Sequence, residues 1–164
     1  MTKTTHTVHV YSDNINTDLI FAGKYTYTLR EKSEIASHAM EDLDTEFVKR
    51  VQVGDIIVAG SNWGNGSSRE QAVTAFKWNG ISMIIAASFG GLYTRNCINQ
   101  GVHPILCAGL NTLLNTGDTL EIDHDAQTIH ANGHAFPIPP LSPSVRAILE
   151  AGGLVPMLAR RFTP

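Results

Sequence analysis

Three short apolar runs punctuate the chain: Asp55–Ala59, Ser82–Ala87 and Pro104–Cys107. None shows the polar alternation of a half-exposed strand, so each predicts a strand buried on both faces. Thr7–Tyr11 alternates and predicts a further short strand, followed by a turn-rich loop over Ser12–Asp18. Between the runs the apolar period lengthens to that of a helix. Glu31–Met40 sets Ile35, Ala36 and Met40 on one face, with Ser33 as a candidate start. Asp44–Lys49 predicts a second short helix, Arg69–Trp78 an amphipathic one ended by Asn79-Gly80, and Leu92–Asn99 one that stops at Gly101. Strands alternating with helices predict a mostly parallel sheet with right-handed crossovers.

The last third reads differently. Thr119–Ile122, Thr128–Ala131 and His134–Pro137 predict short antiparallel strands. Asn115–Asp118, Asp123–Ala126 and Asn132-Gly133 supply the turns. Ser142 caps a closing helix over Ser144–Ala151, with Pro143 at its first position and Gly152-Gly153 as its stop. The expectation is one α/β domain over residues 1–164, with an added β-meander and no internal boundary.

Composition narrows the function classes. The 164 residues suffice to bury a core without disulfides or a structural metal. A net charge of −3, with Arg160-Arg161 as the longest basic cluster, argues against nucleic acid. No apolar stretch approaches a bilayer span and the N-terminal segment lacks an apolar leader core, so the expected location is the cytoplasm. Cys97 and Cys107 are expected to be reduced core thiols, too few to bind an iron–sulfur cluster. His124, His130 and His134 lack a metal-site pattern, and no metal is expected on this chain. His38 reads as a surface residue, His103 as a packed one, and Arg95 and Asn96 as helix residues near enough to cap or to reach a site.

The segment from Gly60 to Ala72 joins a predicted strand to a predicted helix and carries most of the chemistry. Its glycines allow tight turns and close approach of a ligand. Ser67 or Ser68 would sit at the helix N-terminus, where free N–H groups and the dipole favour an anion, and Arg69 adds a bidentate donor. A purely structural reading fits as well, since Ser67-x-x-Glu70 has the form of a capping box. The segment is neither a Walker A loop nor a complete G-x-G-x-x-G motif.

Gly60–Ala72 resembles the signature G-x-N-F-G-x-G-S-S-R-E-x-A of the small subunits, or swivel domains, of the 3-isopropylmalate dehydratase and homoaconitase family. Asp13-Asn14-Ile15-Asn16-Thr17-Asp18-Leu19-Ile20 resembles its D-x-I-x-T-D-x-I segment, and Ser88-Phe89 with Arg95-Asn96, Asn99 and Gly101 resembles its S-F-x-x-x-x-x-R-N-x-x-N-x-G segment. The resemblance implies an aconitase-type swivelling domain: a mixed β-sheet or barrel with flanking helices and a C-terminal β-meander. It implies a hydro-lyase subunit that isomerises a 2-hydroxy dicarboxylate by dehydration and rehydration, active only with a large subunit that carries a 4Fe-4S cluster.

By the same resemblance Ser67 is the catalytic base, and Gly66, Ser68 and Arg69 bind substrate, with Thr17 and Asp18 beside them or shaping the loop. The Tyr25–Glu34 stretch corresponds to the loop that reads the variable substituent. Homoaconitase-like members place Arg where a gapless alignment puts Tyr27, which favours an uncharged group such as isopropyl. Arg30 lies nearby and reads either as a solvated residue or as a swung-in partner for a further carboxylate. Asn65, Trp63, Gly90-Gly91 and Gln71 depart from the common Cys, Phe, Ala-Arg and His, and these departures bear on the substrate. The leading expectation is a 3-isopropylmalate dehydratase small subunit of leucine biosynthesis. The alternatives are a homoaconitase, a citramalate-type or other alkylmalate dehydratase subunit, or a non-catalytic anion-binding module. The isolated chain is expected to self-associate through the face meant for its partner.

Overall fold

The computed structural model describes residues 2–163. Seven strands form one mixed sheet: β1 (Lys3–Val10), β2 (Ile56–Ala59), β3 (Met83–Ala86), β4 (His103–Leu106), β5 (Thr119–Asp123), β6 (Thr128–Ala131) and β7 (His134–Pro137). The spatial order is β4-β3-β2-β1-β5-β6-β7. The strands from β1 to β4 pair in parallel, and those from β1 through β5 and β6 to β7 in antiparallel fashion.

The central runs are apolar throughout because both faces are covered. Ile57, Ala59, Ile84 and Ala86 point into one core with Phe47, Trp63, Phe76 and Tyr93. Ile56, Val58 and Ile85 point into a second core with Leu110, Leu120, Ile122 and Ile129. Alternate residues of one strand thus serve opposite layers. Helices α1 (Thr17–Ile20), α2 (Lys32–Ser37), α4 (Gln71–Lys77) and α5 (Gly91–Gln100) lie on the first side, with α3 (Phe47–Arg50) contributing Phe47. On the second side, α6 (Leu110–Leu113) packs against β2.

Several boundaries differ from the sequence expectation. Strand β1 starts at Lys3 rather than Thr7, because Lys3–Thr7 pair with β5 before Val8–Val10 turn to β2. Its first half, Lys3–Thr7, is polar throughout and carries no hydrophobic signal. Helix α2 stops at Ser37, not Met40: Met40 adopts φ +61° and its N–H reaches Ile20 O at 2.8 Å. Ser33 is not its start: the helix opens at Lys32, with Glu31 at the cap. The short helix expected at Asp44–Lys49 begins at Phe47.

Three α-helices were not expected, α1, α6 and α8 (Leu154–Phe162). The Gly152-Gly153 stop holds, but the chain re-enters a helix at once. Both glycines have positive φ, and Gly153 sits where a Cβ would lie 2.6 Å from Asn99 O. That close approach folds α8 back beside α7 (Pro143–Glu150) and α5. Ser142 caps α7 as expected, accepting from Val145 N–H at 3.4 Å.

One polar chain, buried at His9 and Asp55 and half-buried at Asp44 and Arg50, sits beside the first core. Arg50 Nε donates to His9 Nδ1 at 3.2 Å, so the His9 proton lies on Nε2, 2.8 Å from Asp55. Arg50 also grips Asp44 at 2.6 Å, and Asp44 accepts from the Tyr11 hydroxyl at 2.8 Å. Burial pushes the Asp44 carboxyl up, but its bonds to Arg50 and Tyr11 outweigh this and hold it below the ordinary value.

Candidate active site

Parallel sheets present their strand C-terminal ends as ligand-binding rims. Here the segments leaving β1, β2 and β3 converge at that end. Asn14 N–H reaches Ser61 O at 2.8 Å, and Gly64 N–H reaches Ile15 O at 2.8 Å. Thr17 N–H reaches Asn65 O at 2.9 Å, and Asn16 and Asn65 form a bridge. Trp63 bonds Ser88 through its N–H and accepts from Gly90 N–H through its carbonyl. The Gly60–Glu70 loop is therefore stitched on both sides by backbone.

Trp63 roots the loop in the core. Fully buried, it stacks on Phe76 with ring centroids 6.1 Å apart and meets Tyr93 edge-on. Gly64 has φ +71°, and a Cβ there would lie 2.2 Å from the Tyr93 ring. The Tyr93 hydroxyl donates to Ala72 O at 2.9 Å, and burial raises its pKa well above the usual phenol value. Tyr93 is thus a packing residue.

Past Gly66, at φ +103°, the loop presents Ser67. Ser67 N–H donates to Thr17 Oγ1 at 3.1 Å, and the two hydroxyl oxygens lie 3.2 Å apart. Ser68 is braced by Asn96, whose Nδ2 donates to the Ser68 carbonyl at 2.9 Å. Arg69 Nη2 pairs with Asp18 Oδ1 at 2.5 Å, and its Nε is buried with no hydrogen-bond partner. Its side chain is 17% exposed whereas Asp18 is 69% exposed, so the pair opens toward solvent through the carboxylate.

The capping-box reading of Ser67 is corrected by these bonds. The helix begins at Gln71, with Glu70 at its cap, so neither Ser67 nor Ser68 is at the N-terminus and Arg69 is not helical. The physical reason is that Ser67 N–H is taken by Thr17, a partner brought from the β1 segment. The anion-binding capacity rests on Arg69 rather than on a helix end.

Ser67, Arg69, Thr17, Asp18 and Gly66 come together as expected. Tyr27 and Arg30 do not hydrogen-bond to them. Both line a separate depression of about 420 Å³ with Thr26, Leu29, Ile35 and Gln71. Tyr27 is 89% exposed. Gln71 Nε2 donates to Thr26 O at 3.2 Å and ties this loop to α4, two residues beyond Arg69. Gly91 has open space at its Cβ position.

Sequence reasoning missed Gly23. A Cβ there would lie 2.4 Å from Arg69 Nη1, so the glycine is the floor on which the guanidinium rests. No turn signature marks it, and only the long-range packing reveals its role. Neither thiol suits a cluster: Cys97 is buried in α5, Cys107 follows β4, and burial pushes both pKa values up. No group of three metal-ligating side chains occurs among the described residues.

Comparison with known proteins agrees with this geometry. Residues 2–109 match the aconitase C-terminal domain. A 3-isopropylmalate dehydratase small subunit of Archaeoglobus fulgidus is 42% identical over 147 residues, covering 88% of this chain and 90% of the relative. A methanogen homoaconitase small subunit of Methanocaldococcus jannaschii is 44% identical over 156 residues, covering 93% and 89%. The crystal structure of 3-isopropylmalate dehydratase from Methanocaldococcus jannaschii superposes with a TM-score of 0.89 at 40% identity, covering 98% of this chain and 95% of that one. The rim loops, their stitching and these relatives together make the chain a member of the aconitase C-terminal domain family, among the small subunits of its hydro-lyases.

Proposed function

We propose that this chain supplies the base and a carboxylate anchor to a dehydratase that moves a hydroxyl between adjacent carbons of a 2-hydroxy dicarboxylate. The substrate we assign is 2-isopropylmalate, converted to 3-isopropylmalate in leucine biosynthesis. The observation that carries this reading is the Thr17–Ser67 and Asp18–Arg69 pairing at one rim, open to solvent through Ser67 and Asp18. It sets the Ser67 hydroxyl and the Arg69 guanidinium two residues apart on one loop.

Ser67, as alkoxide, takes the proton from the carbon next to a carboxylate. The C–H electron pair forms the double bond as the adjacent C–O bond breaks, and the departing hydroxide takes a proton from solvent to leave as water. Water then adds its oxygen to the other carbon, giving that proton back to solvent, and Ser67 returns its own proton to the carbon that lost the hydroxyl. Arg69 holds a substrate carboxylate in place of Asp18, with Ser68 and the Gly66 turn lining the approach. This chain's thiols do not fit an iron–sulfur cluster; a cluster carried by the large subunit would supply Lewis acidity at the departing hydroxyl. The rim is exposed here and is completed by that partner. In the isolated chain the same face is free for self-association. A cytoplasmic setting suits the reduced thiols.

Leu29, Ile35 and the Tyr27 ring in the neighbouring depression favour an apolar substituent. Arg30 on its wall is the feature a homoaconitase-type acid would use. Anaerobic reconstitution with a cluster-bearing large subunit, followed by a panel of 2-hydroxy acids, tests the proposal. Preference for 2-isopropylmalate supports it; preference for a tricarboxylate moves the assignment to homoaconitate. No complex with any large subunit leaves an anion-binding module and overturns it.

A further inference from the structure

We infer that Thr17 is a positioning residue that makes Ser67 a competent base, by donating its hydroxyl proton to the Ser67 oxygen. The inference rests on the reading of Ser67 as base given above.

Thr17 is 1% exposed, which removes it from direct contact with substrate and gives its hydroxyl an internal role. Among the described residues, the hydrogen bonds of its Oγ1 go to Ser67 alone: the Ser67 amide at 3.1 Å and Ser67 Oγ at 3.2 Å. The amide is a donor in every protonation state, so Thr17 Oγ1 accepts there. Among the described residues, Ser67 Oγ is then the one partner within reach of its own proton.

In the neutral pair either hydroxyl can be the donor. Once Ser67 is an alkoxide it has no proton, and Thr17 must donate. A hydrogen bond to an ionised oxygen is about twice as strong as one between neutral groups. The amide bond into Thr17 Oγ1 polarises its O–H further. Thr17 therefore stabilises ionised Ser67 more than neutral Ser67, and this lowers the pKa of a group that is otherwise a very weak acid.

The surroundings fix the pair. Thr17 is the first residue of α1, behind the Asn16 cap that accepts from Leu19 N–H at 3.0 Å. Its backbone N–H holds Asn65 O at 2.9 Å while its side chain holds Ser67 N–H, a clasp on both sides of Gly66. A side chain on Gly66 would come within 3.2 Å of Thr17 Oγ1, and its φ of +103° turns Ser67 back over the threonine. A β-branched side chain has few χ1 choices, so the donor is held in place before substrate arrives.

Thr17→Val keeps the shape and removes the hydroxyl, while Thr17→Ser keeps the hydroxyl. In the reconstituted complex, Thr17→Val is expected to lower kcat about ten- to hundredfold, the scale of one charged hydrogen bond. KM should change little. The pH at which kcat reaches its plateau should rise by about one unit, and Thr17→Ser should restore the wild-type plateau. In the isolated chain, amide exchange at Ser67 should speed up in Thr17→Val alone. Thr17→Cys, with a weaker donor of similar size, replaces the valine variant if that one does not fold.

An unmoved plateau in Thr17→Val overturns the inference whatever the fall in kcat, since a loop clip alone would leave the profile in place. Ser67→Ala separates the two levels. If that variant is inactive while Thr17→Val keeps the wild-type profile, only the Thr17 role falls. If Ser67→Ala is active, the base reading falls and takes this inference with it.

Discussion

Replacing Gly23 by Ala moves Arg69 without disturbing the core. Gly23 does not have a left-handed φ, so alanine adopts its backbone without strain. The new Cβ would stand 2.4 Å from Arg69 Nη1 and 3.1 Å from Asp18 Oδ1. Both are far ends of flexible side chains. The guanidinium must withdraw by about 1 Å to reach the 3.4 Å of ordinary contact. With Asp18 69% exposed, the disturbed ion pair contributes about 0–1 kcal/mol. The melting temperature should therefore fall by at most about 4 °C. Catalysis is more sensitive. A misplacement of about 1 Å in a positioning group can cost about a hundredfold, and a charged hydrogen bond is worth about 1.5–3 kcal/mol. The expected loss in kcat/KM is about ten- to hundredfold. Steady-state kinetics of the reconstituted complex, with a thermal melt of the isolated variant, measure both terms. A kcat/KM within twofold of wild type, with the fold intact, would refute the placement of Arg69 as carboxylate anchor.

Other consequences follow from packing and charge. Gly64→Ala forces a left-handed L-residue and drives Cβ to 2.2 Å from the Tyr93 ring, so urea unfolding should show a loss of about 2–4 kcal/mol. Burial lowers the His103 pKa below its ordinary 6.5. The unfolded chain then binds the proton more readily, so stability is full above about pH 6.5 and falls as the pH drops from there toward the folded value. His103→Gln should flatten that part of a melting-temperature profile; an unchanged slope would reject His103 as its source. Asp44, held low by Arg50 and Tyr11 against the effect of burial, contributes stability above the ordinary carboxylate range. That contribution is lost as pH falls through its depressed value, and Asp44→Asn should remove this acid-side step.

Much of the fold was legible because burial on both faces writes itself into the sequence. Ile56–Ala59 and Met83–Ala86 are apolar at every position since successive residues feed two cores. The meander was legible from its turns: Asn132-Gly133 has positive φ at both residues, which few other pairs allow. What escaped was set by contacts distant in sequence. The first half of β1 is strand because β5 lies beside it, and α8 exists because Gly153 can approach Asn99 O closely.

The site divides in the same way. Gly66, Ser67 and Arg69 stand out as a motif, and the resemblance assigns their roles. Local rules alone misplaced Ser67 as a helix cap, since they do not show that Thr17 captures its amide from another segment. Gly23 carries no local signal, and its use appears only once Arg69 lies across it. Tyr27 and Arg30 share a wall of one depression, where neither the motif nor the gapless alignment fixes which of them meets the substrate.

The central claim is that this chain brings the base. Ser67→Ala, assembled anaerobically with the large subunit, tests it most directly. The account predicts normal complex formation, an unchanged melt of the isolated chain and a fall in turnover of about a thousandfold or more, in keeping with loss of a catalytic proton acceptor. Turnover within tenfold of wild type from a fully assembled complex would contradict it.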